Sequence, residues 1–126
     1  GMMAAIAAAE AGADVTIVEK NSRLGEKLRI TGGGRCNIWN QEHDERLLLS
    51  NYGEKSKFLF SSFARFGLSD TIDFFNRIGI KAKIEARNRA FPVSERAEDV
   101  AQAMIDRIKE LDIDVQYGQV VTALNK

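Results

Sequence analysis

The pattern of apolar and polar positions along the chain changes period several times, and each change predicts an element. Met2 to Ala11 is apolar at nearly every position and holds no β-branched residue except Ile6. Alanine is the strongest helix former, so this run predicts a helix stopped by Gly12. Glu10 breaks the run well short of the length needed to span a bilayer, and no basic leader precedes it. In "DVTIVEK" the period changes. Val15, Thr16, Ile17 and Val18 form an uninterrupted, mostly β-branched run, which predicts a buried parallel strand ending at Glu19.

Asn21 to Asn40 reads as loop, and six of the ten glycines fall at or before Gly34. Residues 41–80 follow with a different composition, and eight of the ten aromatics fall between Trp39 and Phe75, a concentration that predicts a compact apolar cluster. "KFLFSSFARFG" predicts one or two short helices ended by Gly67. "LSDTIDFFNRIGI" predicts a helix capped by Ser69, with Phe74, Phe75 and Ile78 on its buried side and Gly79 as its stop. "IKAKIEARNRAFPVS" predicts two short strands about a turn at Ala86 to Asn88, the second ended by Pro92. Ser94 is then placed to cap a long helix whose stripe is Ala97, Val100, Met104, Ile108 and Leu111. A parallel strand at Ile113 to Gln116 and a further strand at Gln119 to Ala123 complete an α/β pattern.

Composition narrows the function. A chain of 126 residues suits one domain or part of one. Eighteen basic and eighteen acidic residues leave no net charge, where a nucleic-acid or membrane-surface binder carries a basic excess, so neither partner is expected. The aromatics with basic neighbours could stack on single-stranded nucleic acid, but their helical spacing favours core packing. Cys36 is the only cysteine, which excludes an intramolecular disulfide or a CxxC site and fits a cytoplasmic setting. His43, the only histidine, sits among charges without metal-ligand spacing and is expected in solvent.

The candidate chemistry lies near the start. Glu19 stands 18 residues after Gly1, close to the roughly 20-residue interval between a dinucleotide-binding glycine loop and the acid that holds a ribose. Gly1 would be the last glycine of such a loop. The strand and glycines before it are then expected upstream, so the chain reads as an internal segment; a complete small α/β domain is the alternative. In "NSRLGEKLRITGGGRCN", Arg23, Lys27, Arg29 and Arg35 flank Gly25 and Gly32 to Gly34. Exposed N–H groups beside cations can cradle a pyrophosphate, and bare backbone can lie against a planar ring. A flexible surface loop would have the same composition.

The string "GMMAAIAAAEAGADVTIVEKNSRLGEKLRITGGGRCNIWN" resembles the start of the BaiN-like NAD(P)/FAD-dependent oxidoreductases. Leu24, Gly25, Lys27, Leu28, Ile30, Thr31 to Asn37 and Asn40 match the family's pattern close to "LGxKLxITGGGRCNxTN". Downstream, Arg89, Phe91, Pro92, Ser94, Ala97 and Val100 match a second stretch, "R-x-FP-x-S-x-x-A-x-x-V". Trp39 departs, standing where a small hydroxyl residue is commoner.

The resemblance implies an α/β, FAD-binding Rossmann-like fold, a doubly wound parallel sheet in three layers, here a partial domain lacking its first strand. Residues 1–126 would form that part, with a helical insertion at about 41–80, and the rest of the domain and a substrate domain would lie outside. It implies cofactor contacts from Gly1 at the pyrophosphate, Glu19 at the ribose, and Lys20, Arg23 and Lys27 nearby. It also implies contacts from Gly32, Gly33, Gly34, Arg35, Cys36 and Asn37 along the pyrophosphate and flavin, and from Val121 at the adenine. FAD is the implied cofactor and NAD(P)H a candidate electron donor for a small-molecule substrate; no catalytic residue is assigned. Without a second cysteine, Cys36 is read as a packing residue rather than a redox thiol. Glycine's entropic cost leads to the expectation that Thr31 to Asn37 is poorly ordered or displaced in the absence of cofactor, and a rigid, well-packed loop there would count against the FAD reading. A non-catalytic nucleotide-binding or protein-interaction domain is the rival reading.

Overall fold

The computed structural model describes residues 1–124. Helix α1, Met2–Glu10, ends as its composition requires: Gly12 takes φ +86° and the Gly12 and Ala13 amides return to the Ala9 and Ala8 carbonyls. The chain then reverses into β1, Thr16–Glu19. Its partner is the last strand, β5, Asp114–Tyr117, in parallel register with Ile17 opposite Val115 and Glu19 opposite Tyr117. Between them lies α6, Ala97–Glu110, which packs its apolar stripe against α1. Ala5, Ile6, Ile17, Leu24, Phe74, Met104, Ile108 and Ile113 are buried together there.

Strand β1 is less buried than its sequence predicts. Ile17 faces the core, but Val18 points to the other face of the sheet and is 45% exposed, because the described residues place helices against one face only. The strand expected at Gln119 to Ala123 does not form either. After β5, among the described residues, only the Gly118 and Gln119 amides continue toward β1, donating to the Asn21 and Glu19 carbonyls, and residues 120–124 have no ladder partner there.

A second, antiparallel sheet has the order β2, β4, β3: Trp39–Asn40, Arg89–Pro92 and Ala82–Glu85. The predicted hairpin is present, closed by a turn at Ala86–Asn88 in which Arg87 and Asn88 adopt positive φ. The stretch read as loop is largely structured. It contains α2, Glu26–Ile30, then a 3-10 segment at Thr31–Gly34, and it ends as β2 on the hairpin.

Residues 41–80 carry α3, Glu45–Ser50, α4, Ser56–Arg65, and α5, Leu68–Arg77. Asp44 caps α3 by accepting from the Arg46 and Leu47 amides. Phe74 is buried and meets Phe75 edge-on at 5.2 Å, and Trp39 lies 6.0 Å from Phe75, but Phe58, Phe60 and Phe66 of the predicted cluster are exposed. On α4, Phe58 is 83% exposed and no residue is buried, because α4 packs chiefly on short α3.

Both predicted serine caps are displaced. Helix α5 starts one residue before Ser69, at Leu68, and its first turn is closed by the Gly67 amide donating to Asp70 Oδ2 at 2.8 Å. Helix α6 starts three residues after Ser94, because Pro92 and Glu95 close a turn, 2.9 Å from N to O, and Glu95 takes φ +57°.

Candidate functional site

Topology gathers the sequence-predicted residues at one end of the parallel pair. Helix α1 runs antiparallel to β1, and α6 runs antiparallel to β5 after the tight return at Asp112 and Ile113. The amino ends of both helices therefore share an edge with the carboxyl ends of both strands. Gly1 opens α1 and Glu19 closes β1 at this edge. The segment after α2 packs against α6, and Cys36 is buried with Ala97 and Val100 from that helix's first turns. In open α/β sheets, ligands bind outside the carboxyl ends of the strands.

At the strand end, Glu19 turns one oxygen inward. Its Oε1 accepts from both the backbone amide and the side-chain Nδ2 of Asn21, each at 2.8 Å. Its other carboxylate oxygen has no protein donor among the described residues, which leaves it able to accept from a ligand hydroxyl. Asn21 fixes the carboxylate's direction, a partnership that an i, i+2 Glu-Asn spacing could have suggested and the sequence reading passed over.

The three glycines earn their place geometrically. Gly32, Gly33 and Gly34 take φ of 60°, 67° and 86°, a left-handed run that L side chains rarely tolerate. Gly32 is also a close approach: a Cβ there would stand 3.0 Å from the Asn37 nitrogen and 3.1 Å from the Phe91 ring. Gly33 is the opposite case, since a Cβ there would meet nothing within 4 Å. The segment thus turns one side to the hairpin and leaves a bare, exposed backbone on the other. It is anchored rather than displaced, contrary to expectation: the Cys36 amide donates to Thr31 O at 2.9 Å, and Cys36 is 1% exposed at φ +60°. Burial pushes its thiol pKa up, the reverse of what a reactive thiolate needs.

Arg35 is committed to protein partners. Its Nη1 donates to Glu85 Oε2 at 3.2 Å and its Nη2 to Glu85 Oε1, while Glu95 Oε1 lies 3.2 Å from Nη2. The guanidinium lies 4.2 Å from the centroid of the Phe91 ring. Lys83 pairs with Glu95 and sits 3.4 Å from Glu85. The Arg35 guanidinium first and Lys83 after it hold the Glu85 carboxyl below its ordinary range; Lys83 leads for Glu95. Arg35 Nε is buried with no acceptor. Glu85 and Glu95 were invisible to motif reading, because their role depends on a hairpin folding back onto a segment 50 and 60 residues earlier.

The remaining predicted residues scatter around this edge. Lys20 is exposed. Arg23 pairs with Glu26, and Lys27 lies exposed on α2, its carbonyl accepting from Thr31 Oγ1 at 2.6 Å. The Asn37 amide, turned to satisfy both its ends, donates to Trp39 O and Ala90 O at 3.2 and 3.3 Å. Val121 is 61% exposed and belongs to no strand. His43 is exposed, 3.2 Å from Gln41 Nε2. A concavity of about 840 Å³ between α5 and α6 is lined by residues such as Phe74, Arg77, Gln102 and Asp106, none of them from the predicted set. Among the described residues no group of three acids, histidines or cysteines could hold a metal ion, and no helix is long and apolar enough to cross a membrane.

These features have counterparts in known proteins. The chain is 31% identical over 98% of its length to a 3-dehydro-bile acid delta(4,6)-reductase of Clostridium scindens. It is 26% identical over its whole length to a ribosomal RNA dihydrouridine synthase of Escherichia coli. It spans 30% of the length of each of these relatives. The HI0933-like protein Rossmann domain matches residues 1–126, and the chain belongs to that family of Rossmann-type α/β domains.

Proposed function

We propose that this chain is the FAD-binding portion of a flavin-dependent oxidoreductase. What supports the reading is topological: Gly1 opens α1 and Glu19 closes β1 at the carboxyl end of the parallel pair, and the bare run of left-handed glycines packs on α6, whose amino end lies at that same edge. The residues fit such a cofactor. The exposed side of Gly33 and Gly34 leaves space that any Cβ would fill, and the amino end of α1, which has no side-chain cap, presents a positive dipole end suited to a phosphate. Glu19, oriented by Asn21, has an oxygen free for a ribose hydroxyl.

When bound, the flavin supplies the redox chemistry by accepting or donating a hydride or electrons. The chain's own part is to bind and orient. Gly1 at the helix start serves the pyrophosphate, Glu19 the ribose, and Gly32 to Gly34 the ring, with Lys20, Arg23 and Lys27 adding positive charge around an anionic cofactor. Cys36 fills the floor under the glycines as an apolar residue. The two relatives, a reductase and a dihydrouridine synthase by name, favour an oxidoreductase over a purely structural α/β domain. A nicotinamide nucleotide is the proposed electron donor, and a cytoplasmic setting the proposed location.

The test is direct. The polypeptide, purified at its full natural length, is examined for flavin absorbance and for FAD uptake. Stoichiometric uptake supports the proposal, and a well-folded protein that takes up no FAD sinks it.

A further inference from the structure

Arg35 follows the three glycines directly, and an arginine beside a bare glycine run invites assignment to a cofactor phosphate. Its surroundings argue otherwise. Both terminal nitrogens of the guanidinium are held by carboxylates, Glu85 in a two-pronged pairing and Glu95 at 3.2 Å. One cation facing two anions is already over-neutralised, and Lys83 restores the balance by bridging the same two carboxylates. The Phe91 ring lies under the guanidinium and also abuts the site where a Gly32 Cβ would stand.

The geometry of Glu95 gives independent support. It holds φ +57°, an uncommon and strained conformation for a non-glycine residue. The turn that imposes this conformation, Pro92 to Glu95, delays the start of α6 and brings the carboxylate to Arg35 and Lys83. Strain of this kind persists where the surroundings over-determine it, and here the surroundings are the two cations.

We infer that Arg35 is a positioning residue. Glu85, Glu95 and Lys83 on the β3–β4 hairpin and the turn after it form an ionic clamp that sets where the Gly32–Gly34 backbone lies, and Arg35 does not contact the cofactor phosphates. The inference rests on the proposed FAD site for its consequence, but the clamp itself can be tested without cofactor. Trp39 is the only tryptophan; it lies three residues beyond Cys36 and pairs with Ala90 of the hairpin, so its emission reports how the segment sits.

The experiment compares Arg35→Gln, the double variant Glu85→Gln/Glu95→Gln, and the triple variant, at the full natural length of the polypeptide. In cofactor-free protein, the clamp requires the single and double variants to shift Trp39 emission alike, and unchanged emission in both overturns it. In FAD titrations, the single and double variants each weaken affinity about tenfold, the scale of one charge-assisted hydrogen-bond set, and the triple variant is no worse than either. A further loss when Arg35→Gln is added to the double variant overturns the inference, because Arg35 then binds phosphate itself. Arg35→Lys keeps the charge but loses the fork, and it restores less than half of the lost affinity if the clamp's geometry matters; full rescue overturns the clamp. Should the double variant not fold, Glu95→Gln alone carries the same comparison at smaller size. Wild-type protein that takes up no FAD refutes the proposed function instead, while the Trp39 result still decides the clamp.

Discussion

Replacing Gly33 by alanine separates the fold's need for glycine from the cofactor's. At φ +67° an alanine costs about 1–2 kcal/mol from the left-handed conformation alone. Sterics add nothing, since a Cβ at Gly33 has no neighbour within 4 Å. The cofactor-free protein should therefore unfold about 5–10 °C lower, with about 5 °C per kcal/mol as the scale for a chain of this size. At Gly32 the same backbone cost is joined by contacts of 3.0 Å to the Asn37 nitrogen and 3.1 Å to Phe91. Either the Asn37 backbone or the Phe91 ring has to give, so Gly32→Ala falls further than Gly33→Ala. FAD binding reverses the ranking in informativeness: a methyl on the exposed side of Gly33 lifts a planar ring from the backbone, and affinity drops by about tenfold or more. The assays are thermal denaturation of apoprotein and FAD titration by fluorescence quenching. Gly33→Ala with lowered stability and unchanged FAD affinity would refute the claim that this face receives the ring.

Four other outcomes are expected. Glu19→Ala weakens FAD binding by about 1–3 kcal/mol, because a ribose hydroxyl loses its acceptor; isothermal titration with wild type alongside checks this, and equal affinities would remove Glu19 from the site. The Glu85, Glu95 and Glu98 carboxyls are held below their ordinary range, chiefly by hydrogen bonds from Arg35, Lys83 and Arg29 respectively. Their contribution to stability is therefore present above the ordinary carboxylate pKa and is lost as pH falls through the depressed one. Urea midpoints should drop on acidification in wild type and drop less in Glu85→Gln/Glu95→Gln. Cys36, buried and with its thiol pKa raised, should react with a thiol reagent at pH 8 only as fast as the protein opens, and rapidly in urea; fast labelling of native protein would show the thiol exposed. Ile108→Ala, fully buried in the last turn of α6, should cost about 2–5 kcal/mol by chemical denaturation.

What the sequence made legible was local and periodic. The alanine run, the β-branched run and the i, i+3/i+4 stripe of α6 each report a buried face in consecutive residues, and all three elements form where that logic places them. The hairpin could be read because its turn and flanking strands are contiguous. The misses share a physical cause, dependence on distant partners. Trp39 and Asn40 form a strand only because Ala90 and Arg89 are there to pair with. Ser94 loses its capping position because Glu95 is drawn to Lys83 and Arg35. Phe58, Leu59, Phe63 and Phe66 have partly helical spacing, but spacing does not reveal whether a second surface lies across from them, and Phe58 and Phe66 stay exposed among the described residues. At the candidate site, Glu19 and the glycines were legible from spacing and type, whereas their supports, Asn21 at one and Glu85 with Phe91 at the other, emerge from side-chain geometry.

The proposed position of FAD, along the carboxyl edge of the β1–β5 pair, can be read out by amide hydrogen exchange with and without FAD. Exchange should slow in peptides covering the start of α1, residues 19–23 and residues 31–37, with little change around Arg77 and Gln102 in the α5–α6 concavity. Binding that protects the concavity and leaves residues 31–37 unchanged would contradict it.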